Sequence, residues 1–446
     1  MITVNDILNI CKGELVCGSK DIECKNFTKD TRCINEGDIY IGIKGEVYDG
    51  NTFYREAFDK GAKVCILDNR EVISRICDGD TIILVDDTID AISKLAKYKR
   101  SLYNIPVVAV TGSVGKTSVK DMITNVLKTQ YNVLSTKGNY NNEIGLPLTV
   151  LGLDKHDAMV VEMGMNHFNE LHVLSNIAKP TLAVITNIGT AHIGNLGSRE
   201  NILKAKLEIL DGMNGGSLII NNDNDMLQTV KYDNLITVGI NNKSDYMAHD
   251  IVEEAFSSEF YINDEYISLP VGSEAFIYNA LFAYAVGIKL GISRDNIVKA
   301  LEDFKLSPHR LEMIHTDKYT IIDDTYNASL DSVKNSLGLL SKVLGRKVFV
   351  FADILEVDNF EEEIHKNVGL AINENKIDVA ICIGKMAKYT YQVVNGVLDK
   401  AYYYENNDLL LNDIDEILND GDTILIKGSH SMNLIEVVKY LSKEEK

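Results

Sequence analysis

The stretch Ile105-Pro-Val-Val-Ala-Val-Thr-Gly-Ser-Val-Gly-Lys-Thr-Ser-Val-Lys120 decides the reading of the chain. An apolar run of strand type enters a glycine-rich loop that ends in Lys116-Thr117 and opens a helix. In such a loop Gly112 and Gly115 let the backbone curl so that its N–H groups point inward. Lys116 then reaches the β- and γ-phosphates and the Thr117 hydroxyl can ligate Mg²⁺. Val110 stands where the strict G-x-x-x-x-G-K-[ST] pattern has its first glycine, so the loop reads G-x-x-G-K-T. The strand before it and the helix after it are the context the mechanism requires, and the chain is expected to bind a nucleoside triphosphate.

Working outward, the 446 residues imply about three domains at ~100–200 residues each, and a hydrophobic content of 45% supplies their cores. Asp6 lies close to the start, and no apolar run approaches the ~20 residues that span a bilayer, so no membrane insertion and a cytoplasmic location are expected. The seven cysteines (Cys11, Cys17, Cys24, Cys33, Cys65, Cys77, Cys382) are odd in number and no pair has C-x-x-C spacing. That favours reduced thiols over disulfides or zinc. A net charge of −20 argues against a broad nucleic-acid surface, while an anionic small substrate held by a local Lys/Arg cluster stays compatible.

The fold class expected is α/β in three domains. Residues 1–97 mix short strands (38–43, 63–67, 81–85) with helices such as 52–60, a small mixed α/β domain. Residues 98–311 turn to strand-then-helix alternation, with strands at 107–110, 158–162, 182–188 and 217–221. Such alternation implies a central, mostly parallel sheet carrying the phosphate loop, with ligands at the strands' carboxyl ends. Residues 312–446, with strands at 319–323, 347–351, 379–383 and 423–426 and helices at 331–344 and 361–373, read as a Rossmann-like doubly wound domain without its own phosphate loop.

Candidate chemistry sits at the strand ends of the central domain. Glu162 closes Met159-Val-Val-Glu162, where a carboxylate can meet the Mg²⁺ held by Thr117. His192 also follows a strand of the same sheet; a lone histidine is more often a satisfied side chain, and its position is what favours function. Ala205-Lys-Leu-Glu208 looks like ordinary helix surface. Asn139, Asn141 and Asn142 are either turn formers or residues of a loop facing the phosphate site.

Seven segments then stand in a telling order: Thr111-Gly-Ser-Val-Gly-Lys-Thr117, Asn139-Tyr-Asn-Asn-Glu-Ile-Gly-Leu-Pro-Leu-Thr149, Glu162-Met-Gly-Met-Asn166, Thr186-Asn-Ile-Gly-Thr-Ala-His192, Ala205-Lys-Leu-Glu208, His309-Arg-Leu-Glu312 and Asp323-Asp-Thr-Tyr-Asn-Ala328. Over essentially its whole length the chain resembles the ATP-dependent Mur ligases of peptidoglycan synthesis. Within that family it most resembles the members that join D-alanyl-D-alanine to UDP-N-acetylmuramoyl-tripeptide. That resemblance rests on Asp30-Thr-Arg32 with Gly42-Ile-Lys-Gly-Glu-Val-Tyr-Asp-Gly50, and on the Asp323–Ala328 segment with Lys427-Gly-Ser429.

The resemblance implies roles. Gly112, Ser113, Val114, Gly115, Lys116, Thr117 and Ser118 would hold ATP phosphates. Thr117 and Glu162 would bind one Mg²⁺, and His192 with a CO₂-derived carbamate on Lys206 a second. Asn279 resembles the family's adenine-contacting asparagine, Arg310 its phosphate-facing arginine, and Asp324 with Tyr326 its residues near the ribose. Asp30, Thr31, Arg32, Lys44, Gly45, Asp49 and Gly50 would surround the uridine nucleotide, Asn139, Asn141 and Asn142 would also meet substrate, and the acceptor dipeptide would lie near Asn327. The implied reaction, by an enzyme acting as a monomer, passes through an acyl phosphate that the dipeptide's amine attacks.

Five positions depart from the family pattern. Phe276 replaces a first asparagine, Asn169 a glycine, Asn51 a histidine, Ser329-Leu330 an Asn-Pro pair, and His430 an arginine. Two other readings stand beside this one: a sibling Mur or folylpolyglutamate-type ligase with another acceptor, and a non-catalytic ATP-binding paralogue.

Overall fold

The computed structural model describes residues 2–73, 80–355, 357 and 360–443; Cys77 lies outside them. The six described cysteines are all free thiols. By its internal contacts the chain divides into two compact units, one of Met1–Thr111, Gln130–Val184 and Ala205–Leu218, the other of Gly112–Thr129, Ile185–Lys204 and Ile219–Lys446.

In the first unit a five-stranded sheet runs in the order Glu14–Cys17, Thr81–Leu84, Val64–Leu67, Ile39–Ile41, Phe27–Thr28. Only its first pair is antiparallel. The strands expected at 38–43, 63–67 and 81–85 fall on this sheet, while the helix expected at 52–60 divides into a 3₁₀ turn, Gly50–Phe53, and the α-helix Tyr54–Asp59. The same unit carries Val107–Thr111, Ala158–Glu162 and Val133–Ser135 side by side in that order. Every residue of Val107–Thr111 and Ala158–Glu162 is buried. Such continuous apolar runs are what a parallel strand covered on both faces requires.

In the second unit the helix Lys116–Leu127 continues the phosphate loop and packs against Glu274–Lys289. The latter is apolar nearly all round, and accordingly its residues Phe276, Ile277 and Asn279–Gly287 are buried. This unit also carries an antiparallel meander, Tyr246–Glu253, Ser258–Ile262 and Glu265–Leu269, absent from the expected elements.

The C-terminal sheet runs Glu312–His315, Thr320–Asp324, Thr423–Lys427, Lys347–Ala352, Val379–Ile383, Lys400–Tyr404, parallel except for its first pair. Alternate strand residues feed separate cores. Ile322, Phe349 and Phe351 pack with Val333, Leu337, Val368 and Ile372, and Ile321, Val348 and Val350 pack with Leu410, Ile414, Val437 and Leu441. Helices therefore cover both faces, which is the doubly wound arrangement. All parallel strands of this sheet end on one edge, and Asp323, Asp324, Asp353, Lys427 and Ser429 are gathered there, each buried.

Candidate active site

The glycine-rich loop has the shape of an anion cradle. Gly112 takes φ +151°, and a β-carbon there would stand 1.9 Å from Thr186 Oγ1; Gly115, the N-cap of Lys116–Leu127, takes φ +83°. The loop following the strand Leu182–Ile185 braces it: Asn187 Oδ1 accepts the Val114 N–H at 3.0 Å, the Asn187 carbonyl accepts the Ser113 N–H at 3.0 Å, and Thr186 Oγ1 donates to the Val114 carbonyl at 2.6 Å. Ser113 Oγ accepts the Gly189 N–H at 2.9 Å. Thr186 and Asn187 thus shape the cradle without having been singled out as site residues; their signal was the polar pair ending an apolar strand. Ser118 lies in the first turn of the helix. Lys116 Nζ folds back onto the Gly112 carbonyl at 2.9 Å, where it sits at the cradle's mouth.

Arg310 donates to Thr117 Oγ1 at 3.0 Å and stacks its guanidinium 3.9 Å from the Tyr326 ring centre. The turn that aims it is strained: His309 and Leu311, its neighbours on either side, have φ +63° and +53°. His309 is held there by Nδ1 donating to buried Asp323 at 2.7 Å, and by its N–H to Glu312 at 2.9 Å. Asn279 is buried beside Gly115, 3.7 Å from the point a β-carbon would occupy. Its neighbour Tyr278 fixes the helix by donating to Asp223 at 2.7 Å, and burial together with that carboxylate pushes the phenol's pKa up. His192 caps the short helix Ile193–Leu196 with φ +63°. The structure therefore brings the loop, Asn279, Arg310 and Tyr326 together. Asp324 and Asn327 are joined by Lys427.

In the first unit Glu162 is buried at the carboxyl end of its strand, its N–H bonded to Thr136 Oγ1 at 3.0 Å and its Oε1 accepting from Asn141 Nδ2 at 2.7 Å. The Asn139 carbonyl accepts the Asn141 N–H at 2.7 Å, and Asn142 spends its side-chain oxygen on the N–H groups of Ile144 and Gly145. Lys206 corrects the surface reading of Ala205–Glu208: it is 1% exposed, because the flanking Ala205 and Ile209 turn this stretch inward.

Near the N-terminus, the Asp30 carboxylate grips Arg32 through Nε at 2.9 Å and Nη2 at 2.7 Å, and that guanidinium lowers its pKa to about 2. Thr31 donates to Glu56 at 2.9 Å. Lys44 and Asp49 pair across a turn closed by the Gly45 N–H on the Tyr48 carbonyl at 2.9 Å. Gly50 passes so close to Ile43 that a β-carbon would lie 2.4 Å from its carbonyl oxygen, and Asp49 is committed to Asn51 and Asn69.

The Thr117 hydroxyl is a hard oxygen donor of the kind Mg²⁺ takes, and the start of a helix at the end of a glycine-turned loop suits a phosphate. Family models for the Mur ligase middle domain and for the Mur ligase glutamate ligase domain match residues 110–287 and 309–430. A UDP-N-acetylmuramoyl-tripeptide–D-alanyl-D-alanine ligase of Bacillus subtilis (strain 168) is 37% identical over 98% of both chains. The chain belongs to the Mur ligase family. Among solved Mur ligases, MurF from Acinetobacter baumannii superposes with a TM-score of 0.88 at 28% identity over 99% of each chain. The Thermotoga maritima MurF ligase in complex with ADP gives 0.82 at 27%, covering 94% of this chain and 97% of that one.

The departures from the Mur ligase pattern now have physical accounts. Asn169 takes φ +70°, a conformation that asparagine tolerates better than other side chains where glycine is usual. Asn51 is fully buried, donating to Asp49 and Asp68 at 2.7 Å each. Ser329 caps the helix Leu330–Ser341 in a reciprocal box with Ser332, keeping the capping function of an Asn-Pro start. Phe276 is buried with its ring 6.5 Å from that of Phe304. His430 is exposed, its ring 6.0 Å from Tyr326.

Proposed function

We propose that this chain is an ATP-dependent amide ligase that adds D-alanyl-D-alanine to UDP-N-acetylmuramoyl-tripeptide in peptidoglycan synthesis, acting in the cytoplasm as a monomer. The observation that carries the reading is end-to-end similarity: the B. subtilis ligase matches 98% of the chain, including the N-terminal part that neither family model covers. In the three-domain assignment 1–97 binds the UDP-sugar, through Asp30, Thr31, Arg32, Lys44, Gly45, Asp49 and Gly50. Residues 98–311 bind ATP, and 312–446 bind the acceptor near Asn327.

A carboxylate is a poor electrophile, so the tripeptide's terminal carboxylate must first take the γ-phosphoryl group, giving a mixed anhydride with phosphate as leaving group. The amine of D-Ala-D-Ala then attacks the carbonyl carbon. The start of the helix Lys116–Leu127 holds the phosphates, Lys116 and Arg310 face the negative charge that develops there, and Asn279 meets the adenine. Thr117 and Glu162 would hold one Mg²⁺, and His192 and carbamylated Lys206 a second. Bound Mg²⁺ supplies positive charge that offsets the phosphate oxygens. A carbamate on the buried Lys206 would give a hard anionic oxygen of the kind Mg²⁺ takes. Among the described residues no helix is long and apolar enough to cross a membrane.

The test supplies ATP and UDP-N-acetylmuramoyl-tripeptide and compares acceptors, with the product identified by mass. D-Ala-D-Ala should stimulate phosphate release far more than D-Ala, L-Ala or D-Glu, because a site built to pair the extra amide leaves polar groups unsatisfied around a single amino acid, which can cost ~10⁴-fold. Equal incorporation of a single amino acid would move the chain to a sibling ligase.

A further inference from the structure

Asp324 and Lys427 end adjacent parallel strands and are direct partners in register. Both are buried, Lys427 at 2% exposure, and Lys427 Nζ donates to Asp324 Oδ2 at 2.6 Å. Ser336, one helix away, donates to the same oxygen at 2.6 Å. Among the described residues none donates to Oδ1. The second bond of Lys427 goes to the Asn327 carbonyl at 3.0 Å, so one ammonium fixes both the carboxylate and the loop that follows it. Three residues beyond Asp324 that loop reaches Asn327, and three beyond Lys427 the other loop reaches His430, whose ring lies 6.0 Å from Tyr326.

A carboxylate with one oxygen clamped by two donors cannot rotate, and its other oxygen is held in one direction. We propose that Lys427 is a positioning residue: with Ser336 it locks the Asp324 carboxylate so that Oδ1 is presented to a ribose hydroxyl of the bound nucleotide. This rests on the reading of Asp324 as a ribose contact. Lys427 itself touches no ligand. A hydrogen bond to a carboxylate is the stronger, charge-assisted kind.

The experiment compares ADP with 2′,3′-dideoxy-ADP by titration calorimetry, a measurement that needs neither acceptor nor turnover and so stands whether or not the amide-ligase reading does. The wild-type protein should prefer ADP by roughly 10-fold or more, the loss expected of one hydrogen bond to a charged group. In Lys427→Met, with its fold checked by circular dichroism, that ratio should fall to within about twofold of one. A merely structural lysine would weaken both nucleotides equally and leave the ratio at its wild-type value, which would overturn the proposal. A wild-type ratio near one would overturn the ribose contact and this inference with it. Should Lys427→Met fail to fold, Ser336→Ala, which keeps every charge, decides: a ratio reduced about threefold or more supports the clamp, and an unchanged ratio rejects it.

Discussion

Replacing Gly112 by alanine tests the cradle by its shape rather than its charge. The new β-carbon would stand 1.9 Å from Thr186 Oγ1, 3.0 Å from Thr186 Cβ and 3.1 Å from its nitrogen, where ordinary contacts begin near ~3.5 Å. Relief requires Thr186, itself buried, to turn away and give up its bond to the Val114 carbonyl, at about 1 kcal/mol. A φ of +151° adds roughly 1–3 kcal/mol for any residue with a β-carbon, and the remaining overlap roughly 1–3 more. The total, about 3–7 kcal/mol, is comparable to the whole stability of a domain, so the loop should move before the fold gives way. Even the lower figure converts to a loss of about 100-fold in nucleotide affinity, since each 1.4 kcal/mol is a decade. Calorimetric titration with ADP, beside a thermal melt, reads both. Adding Thr186→Ala removes the nearest atom but not the φ strain, so the double variant should bind ADP better than Gly112→Ala alone, by several-fold. Gly112→Ala binding ADP within about threefold of wild type would refute the reasoning.

Other outcomes follow from the same geometry. Lys116→Ala should lower turnover by more than ~100-fold with the fold intact, since it deletes a cation at the cradle's mouth; phosphate release near the wild-type rate in a folded variant would remove Lys116 from the chemistry. Lys206→Ala should be inactive and partly restored by formate, which returns an anionic oxygen, whereas formate-insensitive inactivity would speak against the carbamate. His365 is fully buried, accepting the Ile354 N–H at 3.0 Å and donating to the Glu361 carbonyl at 2.7 Å, and burial holds its pKa below the usual value. The unfolded chain therefore takes up a proton first, so the melting temperature should fall as pH drops below about 6.5 and level off once the folded histidine protonates. His365→Gln should flatten that slope, and an equal slope in the variant would clear His365 of the effect.

Much of the fold was legible because buried parallel strands announce themselves. Ala158–Glu162, Ser217–Asn221 and Val379–Ile383 stand at the residues expected, each an apolar run bounded by polar residues or glycine. The strand expected at 182–188 stops at Ile185 because Thr186 and Asn187 leave the sheet to brace the phosphate loop. The meander was harder to read. In Ser258–Ile262, Ser258, Phe260 and Ile262 turn inward while Glu259 and Tyr261 face solvent, an alternation spread over only five residues. Long-range pairings left no local trace at all: Lys427 meets Asp324 from 103 residues away, and the burial of Lys206 depends on what packs over its helix.

The five departures from the family pattern are not equivalent once their surroundings are known. Asn51 is consumed by Asp49 and Asp68, Asn169 by a left-handed backbone, Ser329 by the start of a helix, and Phe276 by packing near Phe304. Asn169, Ser329 and Phe276 each perform a task that their own backbone or core sets, whereas Asn51 also holds Asp49, one of the residues proposed to bind the UDP-sugar. His430 alone is exposed at the carboxyl end of a strand, beside the Tyr326 ring on which Arg310 stacks. A histidine there differs from an arginine in reach and in carrying its charge only when protonated. Of the five departures, His430 is therefore the one whose altered reach and charge bear directly on a neighbour of Arg310, because its side chain lies beside the ring on which that guanidinium stacks.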